Sequence, residues 1–231
     1  MNKVGLLIIA SNKYIRFAQD LISSADEHFL QDQDVTYFLF TDREDEIQSE
    51  RKVVKLKVEH KEWPWMTLGR YRIFTTYQEE LSKMDYLYYS DADMLFKDKV
   101  GDEILSTLVG TAHPGCYLYK PRGDPETRPE SLACIHENED FPYSYYMAGG
   151  FNGGTASEYL KMARVLADNI DTDFKNDIIA LWHDESHMNR YFIDNPPTLA
   201  LDPGYCFGEG HPLPFKCRLL ALNKDHHEIR S

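Results

Sequence analysis

The sequence predicts an α/β protein, a single domain built around a parallel central sheet. Apolar runs of strand length alternate with amphipathic helical segments from the start of the chain, an order typical of parallel sheets with right-handed crossovers. Two aspartates, Asp91 and Asp93, directly follow one of these runs. Open α/β sheets place their ligands at the carboxyl ends of strands, so the pair marks a candidate site.

The first half of the chain supplies four predicted strands and two predicted helices. Apolar or alternating runs predict strands at Val4–Ala10, Val35–Thr41, Val53–Val58 and Asp85–Ser90. Apolar residues at helical spacing predict a helix over Tyr14–Leu30, with Ala18, Leu21, Ile22, Ala25 and Phe29 inward. A second helix, after Trp63-Pro64-Trp65, is marked by Leu68, Tyr71, Phe74, Tyr77 and Leu81.

The second half is less periodic. The stretch from Gly115 to Asp140 is rich in Pro, Glu, Arg and Tyr, which predicts long loops that carry function. The glycine-rich segment Ala148–Gly154 indicates close approach of the backbone to another group, and a helix is expected at about 156–170. One domain over residues 1–231 is expected, with parts at about 1–95 and about 96–222 and a flexible polar tail at 223–231.

Composition excludes several classes of function. The formal net charge of −13 argues against broad nucleic-acid binding, which needs a basic surface. The chain has no stretch of about 18 apolar residues and no signal-peptide pattern, which predicts a soluble, cytoplasmic protein with no membrane span. Its four cysteines show no metal-ligand spacing, so reduced thiols are expected.

Asp91 and Asp93 are the candidate metal ligands. Two carboxylates separated by one small residue can direct oxygens at one hard cation, which can also bind a nucleotide diphosphate. The alternative is a solvated acidic turn. Arg70, Lys224 and Arg230 are candidate cations for phosphate or ribose oxygens, although each could equally be a surface charge.

The segment Trp182–His187 combines two acids, two imidazoles and an indole. Aromatic faces stack on sugars and carboxylates bind sugar hydroxyls, while one carboxylate could also stabilise or attack an anomeric carbon. The alternative is a helix N-terminus whose acids favour the dipole. His183 and His187 have the spacing of zinc ligands in H-E-x-x-H, but Asp184 stands where that motif requires glutamate.

Taken together, these motifs identify a resemblance to glycosyltransferase family 6, the group of the histo-blood-group A and B transferases and their bacterial and viral relatives. The resemblance runs from Gly5 to Arg230. The matching segments are Ala10–Tyr14, Tyr37–Asp42, Trp63 to Arg70, Asp91–Met94, His113–Gly115, Ala148 to Gly154 and Trp182–His187.

The resemblance implies a GT-A fold, which is a single Rossmann-like nucleotide-sugar-binding domain with a mixed, mainly parallel central sheet. It also implies retaining α1,3 transfer of GalNAc or Gal. The donor would be UDP-GalNAc or UDP-Gal, and the acceptor a galactoside oligosaccharide, fucosylated or not. Mn²⁺ would be bound by Asp91 and Asp93, and Glu185 would be the catalytic carboxylate, as nucleophile or as stabiliser. A sugar- or nucleotide-binding module without turnover is the alternative.

Carried over by position, the remaining site residues fall into two groups. The donor and nucleotide site would be Ile9, Ala10, Ser11, Tyr14, Arg70, Asp91, Ala92, Asp93, Ala148, Gly149, Gly150, Asp184, Lys224 and Arg230, the last two closing over the diphosphate. The acceptor site would be His113, Trp182 and Glu185. Phe207-Gly208-Glu209 stands where vertebrate members have Trp-Asp near the acceptor.

Donor choice in the family resembles a steric filter at two positions, which fall here at Ala148 and Gly150. Both residues are small. A pocket without bulky side chains admits an N-acetyl group, so the resemblance favours UDP-GalNAc over UDP-Gal.

Overall fold

The protein is described by a computed structural model that covers residues 1–43, 47–139, 141 and 145–225. The strands are β1 Lys3–Ile9, β2 Asp34–Thr41, β3 Lys52–Lys57, β4 Tyr86–Asp91, β5 Met94–Phe96, β6 Leu108–Ala112, β7 Met147–Thr155, β8 Leu199–Leu201, β9 Phe207–Gly208 and β10 Leu219–Ala221. The helices are α1 Ile15–His28, α2 Trp65–Leu68, α3 Arg70–Thr76, α4 Gln78–Leu81, α5 Pro114–Tyr119, α6 Ala156–Lys175 and α7 His183–Asp194.

Seven strands form the central sheet in the order β3-β2-β1-β4-β7-β6-β8. Adjacent strands are parallel except where β7 pairs antiparallel with both β4 and β6. The predicted class, a mixed and mainly parallel α/β sheet of the GT-A type, is therefore confirmed. A small sheet in the order β5-β10-β9 lies beside it.

Hydrophobic residues bury both faces of the central sheet. On one face α1 contributes Ala18, Leu21, Ile22 and Ala25, which pack with β1, β2 and β4. On the other face α3, α6 and α7 form a second cluster that includes Phe74, Tyr159 and Phe192. Strands covered on both faces are almost wholly apolar, which explains the continuous apolar runs in the sequence.

Two local predictions differ from the structure. The helix expected from Leu68 to Leu81 is divided into α2, α3 and α4. Gly69 lies at the first junction, where an added Cβ would come within 2.9 Å of the Trp65 carbonyl oxygen. The loop expected from Gly115 begins only after Tyr119, because the first residues of this stretch form α5. Pro114 suits the first helical turn, and the Nδ1 of His113 accepts a hydrogen bond from the Cys116 N–H.

Strand β7 is formed by the glycine-rich segment, where the sequence predicts close approach of the backbone. An added Cβ at Gly153 would come within 2.3 Å of the Tyr88 ring, so only glycine fits between β4 and β7 at this point. All four cysteines are free thiols. In the described part of the chain, the helices are too short or too polar to cross a bilayer.

Candidate active site

A cleft of about 520 Å³ opens at the carboxyl edge of the parallel strands. Strand β1 ends at this edge with Ile9 and β4 ends with Asp91, while His113 directly follows β6. Because β7 runs in the opposite direction, with Phe151 opposite Ser90, its first residues reach the same edge. The reversal of this strand therefore places glycine backbone beside the acidic pair.

Most of the residues expected from the sequence meet in this cleft. Those that line it are Ile9, Ser11, Tyr14, Arg70, Asp91, Ala92, Asp93, His113, Gly149, Gly150, Trp182, Asp184, Glu185 and Lys224. Ala10 and Ala148 are buried in the hydrophobic core and are not among the lining residues. Arg230 lies outside the described residues.

The acidic pair occupies one end of the cleft. Asp91 Oδ1 accepts a hydrogen bond of 2.6 Å from the Tyr89 hydroxyl. Asp93 is almost completely buried and forms an ion pair with the Lys224 ammonium. Burial and the neighbouring Asp91 raise the pKa of Asp93, while Lys224 opposes both effects. A positive charge is therefore stabilised at this point of the cleft.

These carboxylates fit a divalent cation that takes its remaining ligands from a substrate. Within residues 1–43, 47–139, 141 and 145–225, no group of three or more His, Cys, Asp or Glu side chains is arranged to hold a metal. Cations in phosphate-transfer sites are commonly bound by one or two carboxylates together with phosphate oxygens and water. The Lys224 ammonium against Asp93 shows the same preference for positive charge.

Arg70, at the first position of α3, connects the two sides of the cleft. Its Nη2 lies 2.5 Å from Asp184 Oδ2, and its Nη1 donates a 2.7 Å hydrogen bond to the Gly149 carbonyl. Burial raises the pKa of Asp184 to about 6, although Arg70 works in the opposite direction. The guanidinium, which the sequence assigned to phosphate or ribose oxygens, therefore already has two protein partners.

Glu185 lies in the first turn of α7 and faces the cleft. His183, where α7 begins, has a positive φ of 53°, an uncommon conformation for a residue with a side chain. The Oε2 of Glu185 accepts a hydrogen bond of 2.7 Å from the Gly149 N–H. Burial raises the pKa of Glu185 to about 8, while this hydrogen bond works to lower it. Asp184 and Glu185 thus lie in the first turn of a helix and also line the cleft, so both interpretations of this segment apply.

At the rim of the cleft, Trp182 keeps 49% of its surface exposed and donates its indole N–H to the Asp124 carbonyl at 3.0 Å. Trp63 is similarly exposed, and its ring meets the His183 ring edge-on at 5.1 Å. Half-exposed indoles at the mouth of a polar cleft are suited to stacking on sugar rings.

The zinc alternative is not supported by the geometry. His183 lines the cleft, whereas His187 is buried away from it, with Nε2 3.6 Å from Asp173 Oδ2. Burial lowers the pKa of His187 to about 4. The two imidazoles therefore face different surroundings, and His187 is part of the protein interior.

Among the described residues, eight that line the cleft have no place in it predicted from sequence alone. They are Asn12, His60, Lys61, Trp63, Met66, Thr67, Tyr89 and His183. Tyr89 had a usable signal, because residues two apart in a strand share a face and Tyr89 precedes Asp91 by two. His60 had none, since its contact with Ser11 Oγ, at 2.9 Å, joins distant parts of the chain.

The family model for glycosyltransferase family 6 matches residues 2–231. The chain belongs to glycosyltransferase family 6. It is 35% identical to histo-blood group ABO system transferase 1 of Rattus norvegicus, over 99% of this chain and 68% of that protein. It is 30% identical to globoside alpha-1,3-N-acetylgalactosaminyltransferase 1 of Homo sapiens, again over 99% of this chain and 68% of the relative. O-antigen biosynthesis glycosyltransferase WbnI of Escherichia coli is 27% identical, over 85% of this chain and 84% of that protein.

Membership confirms the resemblance inferred from the sequence motifs. The family and its named transferases support a glycosyltransferase, with a nucleotide-sugar donor and a glycan acceptor. Glycosyltransferases of this family are generally dependent on divalent cations, which agrees with an acidic pair at one end of the cleft.

Proposed function

We propose that the chain is a retaining α1,3-glycosyltransferase that moves GalNAc, or Gal, from a UDP-sugar to the 3-hydroxyl of a galactoside, fucosylated or not. The observation that carries the proposal is the meeting of the acidic pair with a half-buried glutamate, Glu185, in one cleft. Relatives over 99% of this chain are named as α-1,3-N-acetylgalactosaminyltransferases.

The nucleotide would occupy the part of the cleft built by residues up to about 95. Ser11 and Tyr14, at the carboxyl end of β1, would lie beside uridine, with Arg70 and Ala92 on its ribose side. Mn²⁺ bound by Asp91 and Asp93 would supply the charge that stabilises the diphosphate leaving group. Lys224, released from Asp93, and the tail that contains Arg230 would close over the phosphates.

Glu185 would act on the anomeric carbon in its ionised form. Both readings of its role, nucleophile and stabiliser of an oxocarbenium-like transition state, require a carboxylate. The Gly149 N–H holds Oε2, and Asp184 is held by Arg70. A carboxylate fixed by such contacts does not have to reorganise during the reaction.

The acceptor would enter from the rim. Trp182 offers an exposed indole face, and His113 lies in the lining nearby, with its Nδ1 already accepting from the Cys116 N–H. The galactose ring would stack on the indole and present its 3-hydroxyl towards Glu185.

Preference for UDP-GalNAc would come from Gly150. An added Cβ there would lie 3.2 Å from Cys206 Sγ and 3.3 Å from Asp91 Oδ2, so a side chain at this position would crowd the acidic pair. Gly149 and Gly150 both line the cleft, whereas Ala148 is packed in the core. Backbone without side chains leaves room for an N-acetyl group.

The test is UDP release from UDP-GalNAc and UDP-Gal, with Mn²⁺ or EDTA, using 2′-fucosyllactose and lactose as acceptors. The expected result is Mn²⁺-dependent release that is faster with UDP-GalNAc, with an α1,3-linked product identified by NMR. Equal rates in EDTA would refute the metal assignment. UDP binding without release, for every pair, would favour the binding module.

A further inference from the structure

Tyr89 contacts both Asp91, at the acidic end of the cleft, and Arg70, which holds Asp184. It lies in β4, two residues before Asp91, and the two side chains therefore project from the same face of the strand. The Tyr89 hydroxyl donates to Asp91 Oδ1 at 2.6 Å. The side chain is 5% exposed and forms part of the cleft wall.

The ring of Tyr89 supports Arg70. The guanidinium carbon of Arg70 lies 4.1 Å from the ring centroid, a close cation–π contact, and Phe74 packs on the ring at 5.8 Å. Arg70 in turn holds Asp184 and the Gly149 carbonyl. Tyr89 thus contacts both Asp91, the carboxylate assigned to the cation, and Arg70, which holds Asp184, the residue assigned to the donor sugar.

We propose that Tyr89 is a positioning residue for the transferase reaction: its hydroxyl orients Asp91 towards the cation, and its ring seats Arg70 against Asp184. The inference rests on the proposed function, because the cation and donor are those of the transferase. The hydroxyl engages Oδ1, so Oδ2 is the oxygen that Asp91 would offer to a cation. Loss of an outer hydrogen bond to a metal ligand commonly weakens metal binding by about 10–100-fold.

The two contacts can be separated by two substitutions. Tyr89→Phe removes the hydroxyl and keeps the ring under Arg70, whereas Tyr89→Leu removes both. Tyr71 offers a matched control: it is fully buried, its ring centroid is 5.8 Å from the Arg70 guanidinium carbon, and its hydroxyl has no hydrogen-bond partner in the described part of the chain. Tyr71→Phe therefore deletes an equivalent atom without touching Asp91.

The experiment measures Mn²⁺ binding to the full chain in the presence of UDP, by electron paramagnetic resonance of free Mn²⁺, together with kcat over a Mn²⁺ titration. Tyr89→Phe is expected to raise the Mn²⁺ Kd by about 10-fold or more, with kcat recovered at saturating Mn²⁺ and with only a small decrease in Tm, because one buried hydrogen bond is lost. Tyr89→Leu is expected to lower kcat even at saturating Mn²⁺. Tyr71→Phe is expected to match the wild type.

An unchanged Mn²⁺ Kd in Tyr89→Phe would overturn the role of the hydroxyl, and a kcat in Tyr89→Leu that recovers fully would overturn the role of the ring. An equal loss in Tyr71→Phe would show a general packing effect and overturn both. If the wild type binds neither Mn²⁺ nor UDP, both the proposed function and this inference are refuted. If the wild type binds both and the Tyr89 variants behave like it, only this inference is refuted.

Discussion

Arg70 and Asp184 form a buried ion pair in which Nη2 and Oδ2 are 2.5 Å apart, and both side chains are at most 5% exposed. The pair joins the start of α3 to the first turn of α7. A buried charge costs several kcal/mol unless it is paired, so each partner depends on the other. The contact therefore both shapes the cleft and stabilises the folded protein.

Removing one partner of this pair should destabilise the protein strongly. Arg70→Ala leaves Asp184 buried without its counter-charge, and we expect a loss of about 3–5 kcal/mol in the free energy of unfolding, measured in urea. The double substitution Arg70→Met with Asp184→Leu should recover part of this loss, because no charge then remains buried. A loss below ~1 kcal/mol for Arg70→Ala would contradict the burial of the pair.

Glu185→Gln should abolish turnover with little effect on nucleotide binding. The amide keeps the shape of the side chain but cannot ionise, so we expect kcat to fall by orders of magnitude. The UDP Kd, measured by calorimetry with Mn²⁺, should change little. Unchanged turnover would show that Glu185 is not the catalytic carboxylate.

The raised pKa of Glu185 also predicts how stability depends on pH. The pKa rises from 4.5 to about 8 on folding, so the folded state binds this proton more tightly than the unfolded state does. The contribution of Glu185 to stability should therefore decrease as pH rises from about 4.5 to about 8. Glu185→Gln should lose this decrease and exceed the wild type in stability at pH 9, as measured by urea unfolding across pH.

Activity should increase over the pH range in which the contribution of Glu185 to stability decreases. Because the reaction requires the carboxylate, kcat/KM for the donor should rise with pH up to about 8 in the free enzyme. A profile that is flat between pH 6 and 8, measured by initial rates of UDP release, would contradict the raised pKa of Glu185.

Removal of the Lys224 ammonium should change Mn²⁺ binding and UDP binding in opposite directions. This ammonium is paired with Asp93, so Lys224→Ala should strengthen the binding of Mn²⁺ alone and weaken the binding of UDP in the presence of Mn²⁺. Lys216→Ala is the charge-matched control, because Lys216 pairs with Asp98 outside the cleft. Weaker binding of Mn²⁺ alone in Lys224→Ala would show that the ammonium does not compete for Asp93.

Trp182→Ala should raise the acceptor KM while leaving hydrolysis of the donor without acceptor unchanged. The indole is half-exposed at the rim, so its apolar face can stack on an acceptor sugar ring, and the substitution removes that contact. Leu181→Ala serves as the control, since Leu181 is equally exposed but does not line the cleft. Loss of donor hydrolysis in Trp182→Ala would show that Trp182 acts on the donor and not on the acceptor.

Local patterns were sufficient to predict much of the sheet and of the site. The predicted strand at Asp85–Ser90 is β4, shifted by one residue, and the acidic pair lies at its carboxyl end as expected, with Asp91 as the last residue of the strand. The helix expected at about 156–170 continues to Lys175. These elements follow from apolar periodicity, a short-range property of the chain.

What the sequence did not predict depends on contacts between distant segments. The antiparallel insertion of β7 between β4 and β6 joins segments that are far apart in the chain and leaves no room for a side chain at Gly153, and the Ser11–His60 contact joins two loops. Ala148, which the resemblance assigns to the donor pocket, has its methyl group packed in the core. Tyr89 carries a signal in the sequence itself, because it precedes Asp91 by two residues in a predicted strand.

The reversed strand β7 also links the site to the slowest class of contact in folding. The unit β1-α1-β2 joins neighbouring segments, whereas β1 pairs with β4, and β4 with β7, across long stretches of the chain, and such non-local pairings form slowly. Asp91 ends β4, and the Gly149 N–H that holds Glu185 belongs to β7. A refolding chain would therefore regain neither cation binding nor turnover until both long-range pairings had formed, even after its first helix and first two strands were in place.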